Sequence, residues 1–417
     1  MRLARRLRSE RGSSMEVCVM GAGIVGLASA YALRQAGHAV TVVDRGPAGN
    51  GASGGNGAQL SYSYVQPLAD PSIWRQLPQL LMSTDSPLKL RPRLDPAQWR
   101  WGLAFLAACN ASTSRASTAA LLDLAARSRE AFDAMLLRER LDCDFSATGK
   151  LVLYPTAEAF AAARRQLALQ RALGSAVQHA VSAAECVAIE PALAHYQGRI
   201  AGAIHTPSEC AADCRKTCDG LHQVLRAQGV RFELGTEVRG FVQRADAVVA
   251  LVTARGDLPA DAFVLALGPQ TPRLARQLGL RLPIYPLKGY SVTLPVGQAA
   301  APRVSVTDSA RKTVFARLGD RLRVAGMAEL VGEDLRIAPE RIATLLASTE
   351  ALFPGCAAVP DPRPWAGLRP ATPTGLPIVG RQPGGPSNLW VNSGHGALGF
   401  TLAFGTAVQL CEDLGKG

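Results

Sequence analysis

The chemistry this chain can do starts at Gly21-Ala22-Gly23-Ile24-Val25-Gly26, which follows an apolar run at 17–20 and leads into a helical pattern. A second strand at 40–43 ends on Asp44. Gly21 permits the tight turn, Gly23 lets the backbone approach a pyrophosphate, and Gly26 lets the helix pack on the strand. Free N–H groups at the helix start meet the phosphates, and Asp44 accepts hydrogen bonds from ribose hydroxyls. Strand, helix and terminal acid all fall at the spacing a dinucleotide needs. Residues 46–60 add a glycine-rich loop that can wrap a cofactor, with Ser53, Asn56 and Gln59 as its polar contacts. Near the other end, Ser393-Gly394-His395-Gly396 precedes a last helix, whose start is open to an anionic partner.

The elements that must position these groups read as an α/β chain. Residues 99–109 and 121–140 carry helical patterns. The first holds Trp99, Trp101 and Phe105, to be packed in a core or laid on a membrane surface. Residues 150–154 (KLVLY) read as a strand, 157–173 as a helix and 231–242 as strand pieces. Residues 261–268 form a buried strand closing on Gly268, the shape of a second turn near the dinucleotide. Alternation over 281–294 and 304–325 marks an antiparallel sheet. Residues 388–409 run strand, glycine turn, helix. Nucleotide-domain pieces therefore recur at the start, middle and end of the chain, as 15–65, 190–283 and 365–417. An α+β substrate domain, 66–189 and 284–364, is inserted between them, and two domains suit a chain of 417 residues.

Composition excludes several classes. With 48% hydrophobic and 19% charged residues the chain is globular rather than disordered. No apolar run reaches the roughly 18 residues that span a bilayer. The net charge of +12 owes much to residues 1–14, which hold five arginines and one glutamate. The other arginines are scattered without aromatic interleaving, which argues against nucleic acid. A diffuse positive surplus instead suits an anionic membrane surface or a carboxylate substrate. Residues 1–14 are expected to be a disordered basic leader, or the true start to be Met15; Arg5-Arg6 lacks the apolar region of an export signal. Nine cysteines without such a signal fit a reducing compartment and no disulfide framework. Cys210, Cys214 and Cys218 are spaced to share one helix face, as a small apolar stripe or, given a fourth ligand, an iron–sulfur or metal site. No metal is expected. No G-x-S-x-G elbow supports a hydrolase.

Five motifs then carry a resemblance: the opening fingerprint, Pro286-Leu287-Lys288-Gly289-Tyr290-Ser291, Gly326-Met327-Ala328-Glu329, Trp365-Ala366-Gly367-Leu368-Arg369-Pro370 with Thr372-Pro373, and Asn392-Ser393-Gly394-His395-Gly396 with Leu398-Gly399. In order and spacing the chain from Met15 onward resembles the FAD-dependent D-amino-acid dehydrogenase small subunit. The wider superfamily of D-amino-acid oxidase and glycine oxidase shares the fingerprint and the arginine of the fourth motif. The resemblance implies a Rossmann-type FAD-binding domain under an antiparallel substrate sheet, with FAD as cofactor. It implies oxidative deamination of a D-amino acid to a 2-oxo acid and ammonia, with electrons passed to a membrane quinone or another carrier. The location it implies is the cytoplasm, peripheral on the inner membrane.

For the site, the resemblance puts the carboxylate-binding arginine at Arg369, whose guanidinium fork suits two parallel hydrogen bonds. Tyr290 is a pocket residue or second carboxylate contact, Lys288 a neighbour of the flavin, and His395 either a chemical or a positioning group. FAD contacts are expected at Gly21, Gly23, Ile24, Val25, Gly26, Asp44 and Arg45. Ser53, Asn56, Gly57 and Gln59 join them from the loop, and Val238 and Gly268 from the middle of the chain. Gly394, His395, Gly396, Leu398 and Gly399 complete the set. Two polar departures, Lys216-Thr217 after Asp213-Cys214-Arg215 and Arg311 beside Asp308, open the substrate to an acidic or hydroxylated side chain. Competing readings are an oxidase or dehydrogenase of a secondary amine such as sarcosine or hydroxyproline, and an electron-transfer subunit of a heteromeric complex.

Overall fold

The structure, a computed structural model, describes residues 14–65, 67–74, 88–296, 301–358 and 361–416. All of the expected basic leader but Ser14 lies outside them. Down the chain come β1 (Glu16–Met20), α1 (Ile24–Gln35), β2 (Ala39–Asp44), α2 (Pro96–Ala108), α3 (Ala111–Glu139), β3 (Lys150–Tyr154), β4 (Gly202–Thr206) and α4 (Cys214–Ala227). Next are β5 (Arg231–Leu234), β6 (Ala262–Leu265), β7 (Tyr285–Pro295), β8 (Ser305–Asp308), β9 (Thr313–Leu318) and β10 (Arg321–Leu330). The chain closes with β11 (Arg363–Ala371), β12 (Ile378–Arg381), β13 (Leu389–Ser393) and α5 (Gly399–Leu414).

One sheet runs β12-β13-β6-β1-β2-β5, parallel except for the β12/β13 pair. Its central strands are valine-rich and buried on both faces, as parallel sheets require. On one face α1, α3, α4 and α5 bury Leu27, Leu121, Phe132, Leu221 and Phe404 in a common core. On the other, Phe263 and Leu265 meet Val248 and Leu251 of a three-stranded antiparallel layer. This is the expected dinucleotide-binding architecture.

The second sheet runs β11-β7-β10-β9-β8-β3-β4 and ends on His179–Val181, with Leu88–Leu90 added beside β10. It is mixed rather than purely antiparallel, because β3 pairs with β8, and Leu88–Leu90 with β10, in parallel. Its back face buries Tyr290, Val292, Leu151, Leu153, Phe315 and Val324. Alternation along each strand turns Lys150, Ser291, Arg323 and Arg369 to the other face, toward the nucleotide domain.

Three expectations need correction. β4 and β11, assigned by sequence to the nucleotide pieces 190–283 and 365–417, belong to the substrate sheet. α3, assigned to the substrate piece 66–189, packs in the nucleotide-domain core. An apolar strand or helix face states that it is buried, not which partner buries it. Cys210 is not on a helix with Cys214 and Cys218: it lies in the short strand Cys210–Ala211. The helix starts at Cys214 because the Asp213 side chain accepts the Arg215 and Lys216 N–H groups as its cap. All three cysteines are buried.

Candidate active site

Between the two sheets lies a cavity of about 870 Å³, large for a small-molecule site. At one end the glycine turn is held as the sequence requires. Gly21 has φ of +111°, and a Cβ there would fall 2.4 Å from the Ala266 carbonyl oxygen. A Cβ on Gly26 would fall 1.8 Å from the Gly21 carbonyl oxygen, so the helix can cross the turn only with glycine there. Asp44 accepts the Ala22 N–H at 2.7 Å and the Gly46 N–H at 2.8 Å. Its remaining lone pairs face the cavity, beside Arg45 and Val238. Ser53 borders the cavity, and its Oγ accepts the Ile24 N–H at 3.0 Å, tying loop to helix start.

The loop from Gly55 to Ser61 crosses the cavity face of the substrate sheet strand by strand. The Trp365 indole of β11 lies against Gly55, where a Cβ would come within 2.4 Å of the ring. Gly55 O accepts from Ser291 Oγ of β7 at 2.7 Å, and Asn56 O from Arg323 Nη1 of β10 at 2.7 Å. Gln59 Nε2 donates to Phe315 O of β9 and Val306 O of β8 at 3.3 and 3.2 Å. Lys150 Nζ of β3 donates to Ser61 Oγ at 2.8 Å. The Asn56 side chain caps its own turn by accepting the Ala58 N–H. Asn56 and Gln59 therefore hold the loop on the sheet while bordering the cavity with Gly57.

Arg369 reaches across two strands. Its guanidinium passes over Gly289, where a Cβ would sit 2.3 Å from Nη2, and Nη1 donates to Met327 O of β10 at 2.8 Å. A bulge opposite Gly289 turns that carbonyl: Lys288 pairs with Glu329 and Tyr290 with Gly326, leaving Met327 at φ +64°. No carboxylate is paired with Arg369 among the described residues, and burial alone brings its pKa down to about 10. The group remains a cation at neutral pH, open to an incoming carboxylate.

Tyr290 and Lys288 differ from expectation. Both alternate onto the back face of β7, away from Arg369. The Tyr290 hydroxyl donates to Glu329 Oε2 at 3.0 Å, and Arg341 Nε donates to Glu329 Oε1 at 2.8 Å, with Arg341 Nη2 in ion-pair contact with the same oxygen at 2.7 Å. Tyr290 touches the cavity only as part of its wall, and its hydroxyl is not free for a substrate. Lys288 Nζ is bound to Arg336 O and lies 3.9 Å from Asp334.

At the far end, Gly268, Gly396, Leu398 and Gly399 border the cavity at the start of α5. Gly394 does not border it; at φ +85°, with Thr372 Cγ2 2.7 Å from where a Cβ would be, it makes the turn. The Thr406 hydroxyl donates to Ala403 O, so it accepts the Nε2–H of His395 at 3.0 Å. Nδ1 then keeps its lone pair without a partner among the described residues. Complete burial pushes the His395 pKa down to about 3. It is neutral at physiological pH and a poor proton acceptor.

Sequence reasoning missed Lys150, Ser61, Tyr64, Met327, Trp365 and Arg323, all of them wall or support of the cavity. For Lys150 the signal was a charged residue at an alternating position of an otherwise apolar strand. The two departures fall elsewhere. Arg311 is paired with Asp308 and Tyr196, Lys216 with Asp144, and neither borders the cavity. Trp101 of α2 is buried, with its indole N–H donated to Ala371 O at 2.7 Å, whereas Trp99 and Leu103 are exposed.

Comparison with known proteins agrees with this geometry. The family described as FAD dependent oxidoreductase (DAO) matches residues 16–412. A D-amino acid dehydrogenase 2 of Ralstonia nicotianae is 49% identical over 95% of this chain and 96% of its own length. One of Pseudomonas aeruginosa is 47% identical over 97% and 95%. The crystal structure of glycine oxidase from Geobacillus kaustophilus superposes with a TM-score of 0.77 at 23% identity, over 97% of this chain and 95% of that one, which speaks for the fold. The glycine cradle, the free lone pairs of Asp44 and the size of the cavity all fit FAD. From the family match and these full-length relatives, the chain belongs to the FAD-dependent oxidoreductases of the DAO family.

Proposed function

We propose that this protein oxidises D-amino acids to 2-oxo acids and ammonia, passing the electrons to a quinone or another carrier. The observation that carries the reading is Arg369, a half-buried cation with no carboxylate partner among the described residues, fixed over Gly289 by the Met327 carbonyl. FAD, when bound, supplies the electron sink for hydride from the substrate α-carbon. The protein's part is geometry and desolvation. Arg369 binds the α-carboxylate through its remaining N–H groups, and two parallel bonds fix orientation as well as position. Leu287, which pairs with Arg369, and Ala328 add apolar wall to the cavity, which lowers the water content around a bound carboxylate. His395 serves as a positioning group at the start of α5, because its one N–H is given to Thr406 and a base of such low pKa takes up no further proton at neutral pH. The amine must lose its proton before oxidation, and we assign that step to no side chain.

The test is anaerobic bleaching of the purified yellow protein with paired D- and L-amino acids, before and after a quinone analogue. Bleaching by D-isomers alone, reversed by the quinone, is the expected outcome. Equal bleaching by L-isomers, or none by either series, overturns the reading. For the membrane contact, support comes from α2, whose Trp99 and Leu103 are 53% and 68% exposed while Trp101 and Phe105 border the cavity. Such a helix can meet an interface with its outer face. Among the described residues no helix is long and apolar enough to cross a membrane.

A further inference from the structure

The cavity wall carries a second cation, this one buried, that hydride transfer has not used. Lys150 heads β3 on the cavity face, opposite Leu151 and Leu153 in the core behind, and only 3% of it is exposed. Its Nζ donates to Ser61 Oγ at 2.8 Å and stands 4.4 Å from the centre of the Tyr64 ring. No salt bridge reaches it among the described residues. The acid whose charge it feels, Glu209, is engaged elsewhere: its two oxygens accept the Tyr62 and Ser63 N–H groups at 2.7 Å each, and it does not border the cavity. A buried ammonium without a bound counterion is costly unless an anion meets it in the space it faces. Burial brings the Lys150 pKa down to about 8, which still leaves the cation dominant at neutral pH.

The position of Lys150 says which end of the cavity it serves. The Ser61 N–H donates to Thr401 Oγ1 at 3.3 Å, and Thr401 is the third residue of α5. Lys150 therefore stands beside the start of a 16-residue helix whose partial positive charge faces the same space. The glycine turn and Asp44 mark the nucleotide end of the cavity, so this is the end left for the redox ring.

We propose that Lys150, acting with the start of α5, stabilises negative charge on the flavin ring and raises its reduction potential. Uptake of a hydride, two electrons with one proton, adds one net negative charge to the ring while the donor loses two electrons. The ammonium gives up no proton in this step; it acts through its field, which solvent screens little at a group only 3% exposed. The inference rests on FAD occupying the cavity and is independent of which substrate delivers the hydride.

The experiment uses FAD-loaded wild type, Lys150→Met and Lys150→Arg. The potential is measured by anaerobic reductive titration against a reference dye, without any amino acid. Sulfite affinity is a second readout, since sulfite addition places negative charge on the ring. Lys150→Met should shift the two-electron equilibrium at least tenfold toward the oxidised form, about 30 mV, and weaken sulfite binding at least tenfold. Lys150→Arg should stay near wild type. If the methionine variant fails to fold, Lys150→Gln carries the same readouts. Unchanged potential and sulfite affinity in a variant that still binds FAD overturn the proposal. So does an unchanged potential with loss of discrimination between D-glutamate and D-glutamine, which would place Lys150 against the substrate side chain. Because no amino acid enters the potential measurement, its failure is distinct from failure of the D-amino-acid reading.

Discussion

Among single residues, the proposed reaction turns on Arg369. Arg369→Ala removes one partner of a buried ion pair formed with substrate, an effect of about 3–5 kcal/mol. At about 1.4 kcal/mol per tenfold, apparent affinity for the amino acid should weaken by roughly two to four orders of magnitude. Steady-state kinetics with intact FAD binding checks it; KM and kcat both near wild type would refute the assignment. Gly289→Ala is the subtler test. Its Cβ would lie 2.3 Å from Arg369 Nη2 and 2.6 Å from Cζ, so the guanidinium must leave its place over β7. No left-handed backbone is involved, and the expected result is a KM raised at least tenfold with an unchanged melting temperature. A normal KM would mean that the fork is not held by this contact.

Among the elements, the Gly55–Ser61 crossing matters most, because one short loop bordering the cavity is bonded to five strands in their sheet order. Arg323 is its central pin, 5% exposed, donating to Asn56 O and to Thr293 Oγ1 at 2.7 Å each. Arg323→Met releases the loop from β10, and FAD should dissociate at least tenfold more readily, followed by the return of free-flavin fluorescence on dilution. Asp213, 4.0 Å from Arg323, keeps its 3.0 Å contact with Arg321. The substrate sheet should therefore remain folded, and circular dichroism serves as the control. Retained FAD in this variant would show the loop to be held without its pin.

For the whole molecule, the consequences are pH dependence and surface. His395 has a pKa near 3 when folded, against about 6.5 when exposed. Below pH 6.5 the unfolded chain takes up a proton that the folded one refuses. Stability should therefore fall by about 1.4 kcal/mol per pH unit from this group, down to about pH 3. Urea unfolding of wild type and His395→Asn between pH 7 and 4 should show the extra slope only in wild type; parallel slopes would refute the burial argument. The outer face of α2 predicts a second global property. Vesicles containing anionic lipid should sediment wild type and release the doubly substituted W99S, L103S protein, and equal sedimentation of both would remove α2 from any contact.

The sequence by itself determined the local devices: the glycine turn, the acid that closes β2, the strand at 150–154 and the last strand-turn-helix. Each is fixed by steric or hydrogen-bonding needs within a few residues, so spacing alone reveals it. The resemblance added FAD and Arg369. Only the tertiary structure decided which sheet β4 and β11 join, that Tyr290 faces away from Arg369, and that Cys210 leaves the helix of Cys214 and Cys218. It also brought Lys150, Arg323 and Met327 to the cavity. The reason is physical: alternation states that a residue is buried, but long-range strand pairing chooses the face and the neighbour. Residues more than two hundred positions apart, such as Gly55 and Ser291, then meet across a contact that no local pattern records.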